Sequence, residues 1–462
     1  MSRLVVLSNR MPLGDNPSGG LVVALKDQLE AMGGLWIGHN GQITEETASA
    51  ELTELKGASF DRKGFELSES EHAGYYLGFS NSVLWPLFHG RTDLLDLQPE
   101  YLTTYRAVNR RIARLLAEEL KPGDRLWVHD YHFFPIAMEL RSLGLTNPIG
   151  LFLHIPFPAA GDCHALPDIE LFARWLAAYD LIGLQSQRDV AAFRDMFSSI
   201  EDSEVLADGA VVYDGRTVRG AAFPIGIDAR SFAETASAQG MDRGAAPAAG
   251  EHLIIGVDRL DYSKGLPQRF RAFSHLLDRR PDLAGKVSLL QIAPPTREEV
   301  QAYQDIREEL EQLSGHINGQ HADIDWTPIR YIHRAVPRER LAGLYRAAMI
   351  GLVTPLADGM NLVAKEYVAA QDPEDPGVLI LSKFAGAAEQ MEEALIVNPH
   401  SPDEVAHAIV TALSMPLSER RRRHAAMMRT LETYDVAWWS KAFLTALDAA
   451  ARAPSGPALR AV

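Results

Sequence analysis

Short apolar runs alternate with longer amphipathic stretches along most of this 462-residue chain. Such alternation predicts βαβ units, in which buried parallel strands are joined by helices that cover the sheet. One series of runs occupies the first half of the chain: Leu4–Ser8, Leu126–His129, Ile149–His154 and Leu181–Gln185. A second series follows: Leu253–Val257, Val287–Gln291, Ile329–Ile332, Ile350–Val353 and Val378–Leu381. The pattern therefore predicts an α/β protein with two parallel sheets.

The stretch between the two series marks a domain boundary. Thr235–Gly250 is rich in Ala and Gly and poor in large apolar side chains, which is typical of a linker or of a loosely packed helix and loop. We predict an N-terminal Rossmann-like, acceptor-binding domain over residues 1–235 and a C-terminal Rossmann-like, donor-binding domain over residues 236–462. The last helix is expected to return to the first domain. Two doubly wound domains of this kind are expected to face each other across a ligand cleft.

The charge balance narrows the class of partner. The chain has 45 Lys and Arg against 61 Asp and Glu, a formal net charge of −16, which argues against nucleic acid or an anionic membrane. No apolar stretch approaches the roughly 18 residues of a membrane-spanning helix, and the first run is too short for a signal sequence. We therefore expect a soluble, cytoplasmic protein. The single cysteine, Cys163, excludes an intramolecular disulfide and a cysteine-rich zinc site.

One segment of the second series has the pattern of an anion site. In Gly351–Glu366, an apolar run is followed by a glycine turn and a helix-like pattern. Asp358 and Gly359 come where the strand should end, so the next backbone N–H groups are expected to open a helix toward an anion. Glu366 supplies a second carboxylate further along an expected helical path. Two carboxylates beside such a helix start suit a nucleotide sugar, whereas an ordinary capped helix is the alternative.

A cation, paired glycines and an aromatic segment stand out in the first half. Arg10 follows the first run, where a guanidinium could grip a phosphate through two hydrogen bonds. Gly19 and Gly20 come shortly after it, and paired glycines allow close approach to a ligand, although a plain turn would also use them. Tyr75–Arg91 concentrates aromatic rings that suit sugars or core packing. Its Gly, Asn and Pro residues argue against a clean helix.

Cations also follow strand ends in the second half. Arg259 and Lys264 lie five positions apart after the Leu253–Val257 run. Such a pair could clamp a diphosphate and neutralise a leaving group, or form ion pairs with neighbouring aspartates. Arg297 follows the next run and could hold a second phosphate.

Histidines and a carboxylate end two further runs of the first half. His129–His132, which includes Asp130, ends one run, and His154 ends another. Carboxyl ends of parallel strands meet at one edge of the sheet, so these side chains are expected to lie close together. Their types are competent metal ligands. The adjacent aromatic residues favour an organic ligand instead, and no metal is expected.

These motifs in combination resemble the trehalose-6-phosphate synthase family, retaining glucosyltransferases of the two-Rossmann-domain GT-B type. The motifs are Ser-Asn-Arg, Ser-Gly-Gly-Leu, Tyr-Tyr with Leu-Trp-Pro-Leu-Phe-His, His-Asp-Tyr-His, Phe-Leu-His-Ile-Pro-Phe-Pro, Val-Asp-Arg-Leu-Asp-Tyr-Ser-Lys-Gly and Asp-Gly-Met-Asn-Leu-Val-Ala-Lys-Glu-Tyr. The resemblance spans residues 1–450. It implies transfer of glucose from UDP-glucose to C1 of glucose-6-phosphate, giving α,α-trehalose 6-phosphate and UDP. Both substrates are small molecules, and no cofactor is implied.

The resemblance also assigns the donor site. Arg259 and Lys264 would hold the UDP phosphates and Glu366 the ribose. Leu341 and Val363 would lie near the uracil. The full set assigned to the donor is Gly19, Gly20, Arg259, Lys264, Leu341, Asp358, Gly359, Met360, Asn361, Leu362, Val363 and Glu366.

The same resemblance assigns the reacting centre and the acceptor site. His154 would contact the donor sugar near the reacting carbon, Asp130 the acceptor sugar, and Asp358 the donor glucose. These three form the expected catalytic set together with Arg259 and Lys264. Retention would occur without a covalent sugar–enzyme intermediate, the leaving phosphate accepting the acceptor's proton. The acceptor residues would be Arg10, Tyr76, Trp85, Asp130 and Arg297, with both arginines on the phosphate.

One position departs from the family's pattern. The family typically has Trp-x-Gly-Trp-x-Gly where this chain has Trp36-Ile-Gly-His39-Asn-Gly41. Replacing an indole by an imidazole removes apolar stacking area, so a relative that uses glycerol 3-phosphate or a cyclitol phosphate stays an alternative. The donor base is also open, because bases are often read by backbone groups. A catalytically silent sugar-phosphate sensor is the alternative from another class. We further expect a homo-oligomer.

Overall fold

The computed structural model describes residues 3–11, 25–26, 29–30, 33–56, 60–239 and 250–452. Gly19 and Gly20, which were predicted to bind the donor, lie outside these residues. The chain divides into two compact units. The first unit ends at Pro224 and resumes at Ala437, and the second unit is Ile225–Val436.

The first unit is built on one sheet, whose ten strands in the described residues have the bounds that follow. They are β1 (Leu4–Arg10), β2 (Leu35–Thr44), β3 (Thr53–Glu54), β4 (Asp61–Ser68), β5 (Arg125–His129), β6 (Ile149–Phe152), β7 (Leu181–Leu184), β8 (Glu204–Val205), β9 (Ala210–Tyr213) and β10 (Arg216–Ala222). Their order is β3-β4-β2-β1-β5-β6-β7-β10-β9-β8. The run from β4 to β7 is parallel and reverses its direction of winding between β1 and β5, as in Rossmann folds.

Helices connect these strands and cover the sheet. The helical segments of the first unit are Glu69–Glu71, the π-helix His72–Leu84, Trp85–Phe88, the 3₁₀ turns Thr92–Leu94 and Tyr131–Phe133, and the α-helices Pro99–Glu119, Ile136–Ser142, Ala160–Cys163, Ile169–Ala177 and Gln187–Ser198. Parallel strands covered on both faces need apolar side chains at successive positions. The central strands accordingly read as continuous apolar runs, which is why the sequence revealed them.

The C-terminal helix, Val436–Ala450, packs on the first unit from Ala437 onward. Its Phe443 ring stacks on Trp127 at 4.8 Å with an interplanar angle of 12°. Gly150 and Gly183 make room for this ring, because a Cβ at either position would come within 2.7 Å of Phe443. Glycine on two neighbouring strands therefore provides the seat for the returning helix.

The second unit contains a six-stranded parallel sheet in its described residues. The strands are β11 (His252–Val257), β12 (Val287–Ile292), β13 (Ile329–Ile332), β14 (Ile350–Val353), β15 (Val378–Ser382) and β16 (Leu395–Val397). Their order, β13-β12-β11-β14-β15-β16, is the Rossmann order, with the winding reversed between β11 and β14. Ligands of such sheets bind at the carboxyl ends of the strands beside this reversal.

Helices flank the second sheet as well. They are Ala229–Ala238, Leu266–Arg279, Gln301–His321, Arg338–Ala347, Leu362–Ala370, Pro402–Ser414 and Leu417–Thr433, with 3₁₀ turns at Tyr262–Lys264, Pro281–Leu283 and Gly386–Glu389. The helix Ala229–Ala238 packs on Arg338–Ala347 and Leu362–Ala370 and so belongs to the second unit. The boundary placed at residue 235 falls inside this helix, because composition marked the Ala-rich end of the helix and not the packing of its beginning.

Every apolar run singled out in the sequence is a strand, whereas β2, β3, β4, β8, β9, β10 and β16 were missed. The α/β class with two parallel sheets is confirmed. β2 loses its apolar character after Ile37, and β4 begins with three charged residues, so neither has the pattern of a buried run. β8, β9 and β10 pair in antiparallel fashion at one edge of the sheet, where half-exposed strands carry polar residues.

Candidate active site

The predicted acceptor residues of the first unit begin at the end of β1. Arg10 is the last residue of this strand, and its exposed guanidinium donates a hydrogen bond to the Tyr76 hydroxyl (3.1 Å). His39 on β2 is paired with Arg10 in the sheet register. The His39 Nε2 lies 3.0 Å from the Gln42 carbonyl oxygen, and its ring centroid lies 5.8 Å from that of Phe65. The residue that departs from the family's pattern is therefore a neighbour of Arg10.

The aromatic segment is helical, although its composition argued against a clean helix. His72–Leu84 forms a π-helix, a wider helix that is often found at functional sites. Its glycines allow close packing on the helix Pro99–Glu119. A Cβ at Gly74 would come within 2.7 Å of Thr104, and one at Gly78 within 2.5 Å of Tyr101.

Stacked rings run from this π-helix to the end of β5. Tyr76 stacks on His72 (centroids 5.2 Å apart) and on His132 (5.9 Å). Tyr131 stacks on His132 at 4.2 Å and lies 5.8 Å from Trp85. Trp85 is only 3% exposed, whereas Tyr76 is partly exposed. Of these two predicted acceptor residues, Tyr76 thus presents more surface to a ligand.

Asp130 connects the ends of β5 and β6 through a hydrogen bond. Its φ of 68° is left-handed, a conformation that Asp tolerates better than most residues. The carboxylate Oδ1 accepts a hydrogen bond from the backbone N–H of His154 (3.0 Å). The structure therefore brings these two predicted catalytic residues into direct contact.

The His154 imidazole is held at both nitrogens. Its Nε2 lies 3.1 Å from His129 Nδ1, and its Nδ1 lies 3.4 Å from Gln185 Nε2. Burial lowers the pKa of His154 to about 3. Burial and the neighbouring His154 also lower the pKa of His129 well below its usual value. Both rings are therefore neutral at neutral pH, so His154 brings no positive charge to the end of β6.

In the second unit, two predicted donor residues meet at the reversal between β11 and β14. Lys264 Nζ donates to Asp358 Oδ2 at 2.6 Å, and the two side chains are only 10% and 14% exposed. Arg259 is exposed two residues after the end of β11. The cations and the carboxylate assigned to the donor therefore lie at the ends of adjacent strands.

Asp258 does not form the surface ion pair that was the alternative explanation for the two cations. Its carboxylate pairs instead with Arg269 (2.6 Å), and neither side chain is more than 2% exposed. Arg269 also donates to Gln291 and Thr354. Breaking a buried pair leaves an uncompensated charge, so this network fixes the end of β11 firmly.

Asn361 shapes the turn between Asp358 and the helix Leu362–Ala370. It adopts a left-handed φ of 76° and caps the helix, with its Oδ1 accepting from the Ala364 N–H (3.1 Å). Its Nδ2 donates to Asp358 Oδ2 (3.0 Å). The chain is helical only from Leu362 onward, so the helical path assumed between Asp358 and Glu366 was wrong for its first half.

A neighbouring loop supports the backbone before this helix. A Cβ at Gly386 would lie within 1.8 Å of the Gly359 carbonyl oxygen, so only glycine fits there. The Ala387 N–H donates to the Met360 carbonyl (2.8 Å). The backbone of Gly359 and Met360, which is assigned to the donor glucose, is therefore held in place by the loop that contains Gly386 and Ala387.

Glu366, assigned to the ribose, is largely buried on the same helix. Burial raises its pKa to about 7, and the nearby Arg338 partly opposes this shift. Leu341 and Val363, assigned to the uracil, are partly exposed on two helices that pack together. A carboxyl group with a pKa near 7 can donate or accept a hydrogen bond, which suits a hydroxyl ligand.

Arg297, assigned to the acceptor phosphate, lies in the second unit. Its φ of 50° is left-handed, which costs about 1–3 kcal/mol for a residue of this type. The guanidinium Nη1 donates to the Tyr303 hydroxyl (2.5 Å) and lies 3.7 Å from Asp261 Oδ2. The surroundings therefore hold this arginine in a conformation that it would not adopt by itself.

Two residues that support the predicted ones, Gln185 and Tyr303, were not predicted from the sequence. Gln185 follows β7 directly, so the signal used for Asp130 and His154, a polar residue after a buried strand, would have found it. Tyr303 gave no such signal, because it lies within the amphipathic helix Gln301–His321.

Within the described residues, no group of three or more His, Cys, Asp or Glu side chains could hold a metal ion. No helix in the same part of the chain is both long and apolar enough to cross a membrane.

The fold and the strand-end residues together define a glycosyltransferase of the GT-B type, with two Rossmann-like units. The sequence model of glycosyltransferase family 20 matches residues 9–449. The chain therefore belongs to glycosyltransferase family 20.

Similar proteins cover nearly the whole chain. A trehalose-6-phosphate synthase of Cronobacter sakazakii is 46% identical over 450 residues, which cover 96% of this chain and 94% of that protein. A UDP-forming α,α-trehalose-phosphate synthase of Burkholderia xenovorans, solved in complex with glucose-6-phosphate, is 44% identical with a TM-score of 0.93, covering 97% of this chain and 100% of that one. An E. coli structure bound with UDP-2-fluoro glucose is 43% identical with a TM-score of 0.93, covering 98% and 100%.

Proposed function

We propose that this chain is a retaining glucosyltransferase that moves glucose from UDP-glucose to glucose-6-phosphate, giving α,α-trehalose 6-phosphate and UDP. The observation that carries the proposal is the Lys264–Asp358 contact at the reversal of the second sheet, in a chain similar along its length to UDP-forming synthases. A cation for a diphosphate and a carboxylate for sugar hydroxyls thus lie at the edge where Rossmann sheets bind ligands.

The donor is proposed to bind the second unit. Lys264 and Arg259 would hold the diphosphate and stabilise the charge that develops on it as the glycosidic bond breaks. Asp358, and the backbone that Asn361 holds in its turn, would bind the glucose, and Glu366 would bind the ribose. The Burkholderia and E. coli relatives support UDP as the nucleotide, because one is UDP-forming and the other is bound with a UDP sugar.

The acceptor is proposed to bind through its phosphate to Arg10 and Arg297, with Tyr76 and Asp130 near its sugar. His154 would contact the donor sugar near the reacting carbon. Because its imidazole is neutral, it would bring no positive charge to that contact. The glucose-6-phosphate complex of the Burkholderia relative supports this class of acceptor.

The reaction is proposed to proceed without a covalent sugar–enzyme intermediate. The bond between C1 of the donor glucose and the phosphate oxygen breaks, and a bond from C1 to the anomeric oxygen of the acceptor forms on the same face. The proton of that acceptor hydroxyl passes to the leaving diphosphate. The protein then contributes orientation of the two sugars and stabilisation of the leaving charge.

We further propose that turnover needs no metal or organic cofactor, because Lys264 and Arg259 supply positive charge where a metal ion otherwise would. Chelation with EDTA should then leave the rate unchanged. A cytoplasmic location and a homo-oligomeric assembly stay predictions from the sequence.

A second candidate function, transfer to another phosphorylated acceptor, is favoured by the place of His39. This residue pairs with Arg10 in the sheet register. Burial lowers the pKa of His39, and His72 and Arg10 lower it further against the effect of the Gln42 carbonyl. A neutral, polar ring therefore stands beside an arginine assigned to the acceptor phosphate, where the family typically has an indole.

The test is UDP release from UDP-glucose by the purified protein, with glucose-6-phosphate, glycerol 3-phosphate, a cyclitol phosphate or no acceptor. Mass spectrometry identifies the product. Release that depends on glucose-6-phosphate and yields a phosphorylated disaccharide is the expected result. Turnover only with another acceptor would favour the second candidate, and no turnover with any acceptor or nucleotide sugar would contradict both and favour a sensor.

A further inference from the structure

Three side chains of the second unit form a buried chain of hydrogen bonds. Arg297 Nη1 donates to the Tyr303 hydroxyl (2.5 Å), and that hydroxyl donates to Asp261 Oδ2 (2.9 Å). The Asp261 side chain is fully buried and that of Arg297 is 7% exposed. Because Arg297 is the proposed ligand of the acceptor phosphate, Tyr303 and Asp261 stand directly behind that site.

The Asp261 carboxylate also supports the turn that carries Lys264, a proposed ligand of the donor diphosphate. Asp261 Oδ1 accepts from the Ser263 N–H (2.9 Å) and so caps the 3₁₀ turn Tyr262–Lys264. The Lys264 N–H donates to the Asp261 carbonyl (3.0 Å), and its Nζ reaches Asp358. Asp261 therefore fixes the turn that presents Lys264. Through Tyr303 it also fixes the position of Arg297.

The phenol suits this position between the two charged groups. Burial, followed by the charge of Asp261, raises the pKa of Tyr303 far above its usual value. The hydroxyl therefore keeps its proton and can accept from Arg297 while it donates to Asp261. A guanidinium is planar, so fixing one nitrogen fixes the direction of its other donors.

We propose that Tyr303 and Asp261 are positioning residues that hold Arg297 for the acceptor phosphate and couple its position to that of Lys264. The proposal rests on the proposed function. It predicts that the binding of acceptor and donor diphosphate is cooperative, since both sites use the two oxygens of one carboxylate. Coupling of this kind is reciprocal, so each ligand should strengthen the other to the same degree.

The first test compares Tyr303→Phe with Tyr331→Phe in the full chain. Tyr331 lies on β13 of the same unit, and its buried hydroxyl makes no hydrogen bond within the described residues, so its loss is the matched control. We expect Tyr303→Phe to raise the KM for glucose-6-phosphate about tenfold, as for loss of one charge-assisted hydrogen bond. The kcat and the KM for UDP-glucose should change less than about twofold. Tyr331→Phe should match the wild type in all three.

The second test measures coupling by titration calorimetry. Asp261→Asn keeps an oxygen that can cap Ser263 but removes the charge. In the wild type, saturating UDP should tighten glucose-6-phosphate binding severalfold, and in Asp261→Asn this enhancement should fall toward none. Equal binding with and without UDP in the wild type would overturn the coupling.

Other outcomes would overturn the positioning role. Unchanged KM values in Tyr303→Phe would do so, as would an equal rise for both substrates. A Tyr303→Phe protein that fails to fold while Tyr331→Phe folds would assign the hydroxyl to stability instead. Wild-type turnover with glucose-6-phosphate tests the proposed function separately, so a failure of the inference alone is recognisable.

Discussion

At the residue scale, the side chains assigned to ligands contact one another. Lys264 bonds to Asp358, and Arg10 bonds to Tyr76. A bound diphosphate would compete with Asp358 for the lysine, and the carboxylate would then accept a hydrogen bond from a sugar hydroxyl. Such an exchange keeps each buried charge hydrogen-bonded, which limits the desolvation penalty of a buried ion.

Removing the charge of Lys264 tests its place on the leaving group. We expect Lys264→Met to lower kcat by about 10²–10³-fold, the usual effect of losing one group that stabilises transition-state charge. Steady-state UDP release is the measurement. Arg271→Met is the control, because within the described residues the side chain of Arg271 forms an exposed ion pair with Glu309 and no other. Wild-type turnover in Lys264→Met would contradict the donor-site assignment.

The buried histidine pair predicts a pH dependence of stability. In the unfolded chain a histidine binds a proton below pH of about 6.5, whereas the pKa of folded His154 is about 3. The free energy of unfolding should therefore fall as the pH drops below 6.5 toward 3, by up to about 1.4 kcal/mol per pH unit for each of His129 and His154. Urea unfolding from pH 7.5 to 5 measures the slope. His154→Asn should flatten it, and an identical slope would refute this explanation.

At the scale of elements, strand ends and helix starts create the site. β11 and β14 deliver Arg259, Lys264 and Asp358 to one edge, and Asn361 turns the chain from Asp358 into the helix Leu362–Ala370. A left-handed residue is needed for this turn, and Asn is among the few side chains that adopt it readily. The cap thus serves both the helix and the carboxylate.

Replacing this cap should therefore affect stability and binding together. Asn361→Ala is expected to cost about 1 kcal/mol for the lost cap, with a further cost for the left-handed backbone. It should also raise the KM for UDP-glucose, because Asp358 loses a partner. Ser401→Ala removes the cap of Pro402–Ser414 in the same unit and should cost stability alone. Urea unfolding and steady-state kinetics of both variants are the measurements. An equal KM for UDP-glucose in the two variants would exclude a role for Asn361 in the donor site.

At the scale of the whole molecule, the chain enters and leaves the second unit at neighbouring points. Gly226, just after the entry, packs against the carbonyl of Tyr434, just before the exit. Lys365 Nζ donates to the Ile225 carbonyl (2.7 Å), so the helix that carries Glu366 also holds the entry segment. Burial lowers the pKa of Lys365 to about 7. The two ends of this unit therefore contact each other, and the entry segment is also bonded to the helix Leu362–Ala370.

A side chain at Gly226 should disturb both ends of the unit. An added Cβ would lie 2.1 Å from the Tyr434 carbonyl oxygen, so Gly226→Ala is expected to lower the free energy of unfolding by about 1–3 kcal/mol or more. Gly315 lies within the helix Gln301–His321, where an added Cβ would meet no described atom within 4 Å beyond its chain neighbours and the nearby helix backbone, so Gly315→Ala should instead stabilise by about 0.5–1 kcal/mol. Thermal unfolding compares the two variants. Equal stability of both would contradict the close packing at Gly226.

Local sequence patterns were sufficient for the central strands and for the residues that follow them. Parallel strands buried on both faces must be apolar at successive positions, and that pattern is visible without any knowledge of contacts. Polar residues directly after such runs, such as Asp130 and Asp358, could be placed at the strand ends for the same reason. β2 and β4 are mixed in character because they lie toward the edge of the sheet, so the sequence alone did not reveal them.

Contacts between residues that are far apart in the sequence could be identified only from the tertiary structure. Lys264 and Asp358 are 94 residues apart, and Asp261 and Tyr303 are 42 residues apart. Residue type and spacing predict that such groups lie at one edge of a sheet, but which two atoms meet depends on strand order, turn geometry and packing. The sequence thus determines the two parallel sheets and the chemistry at their ends. Only the folded chain establishes which charges are paired and buried, because these depend on distances between segments that no local pattern contains.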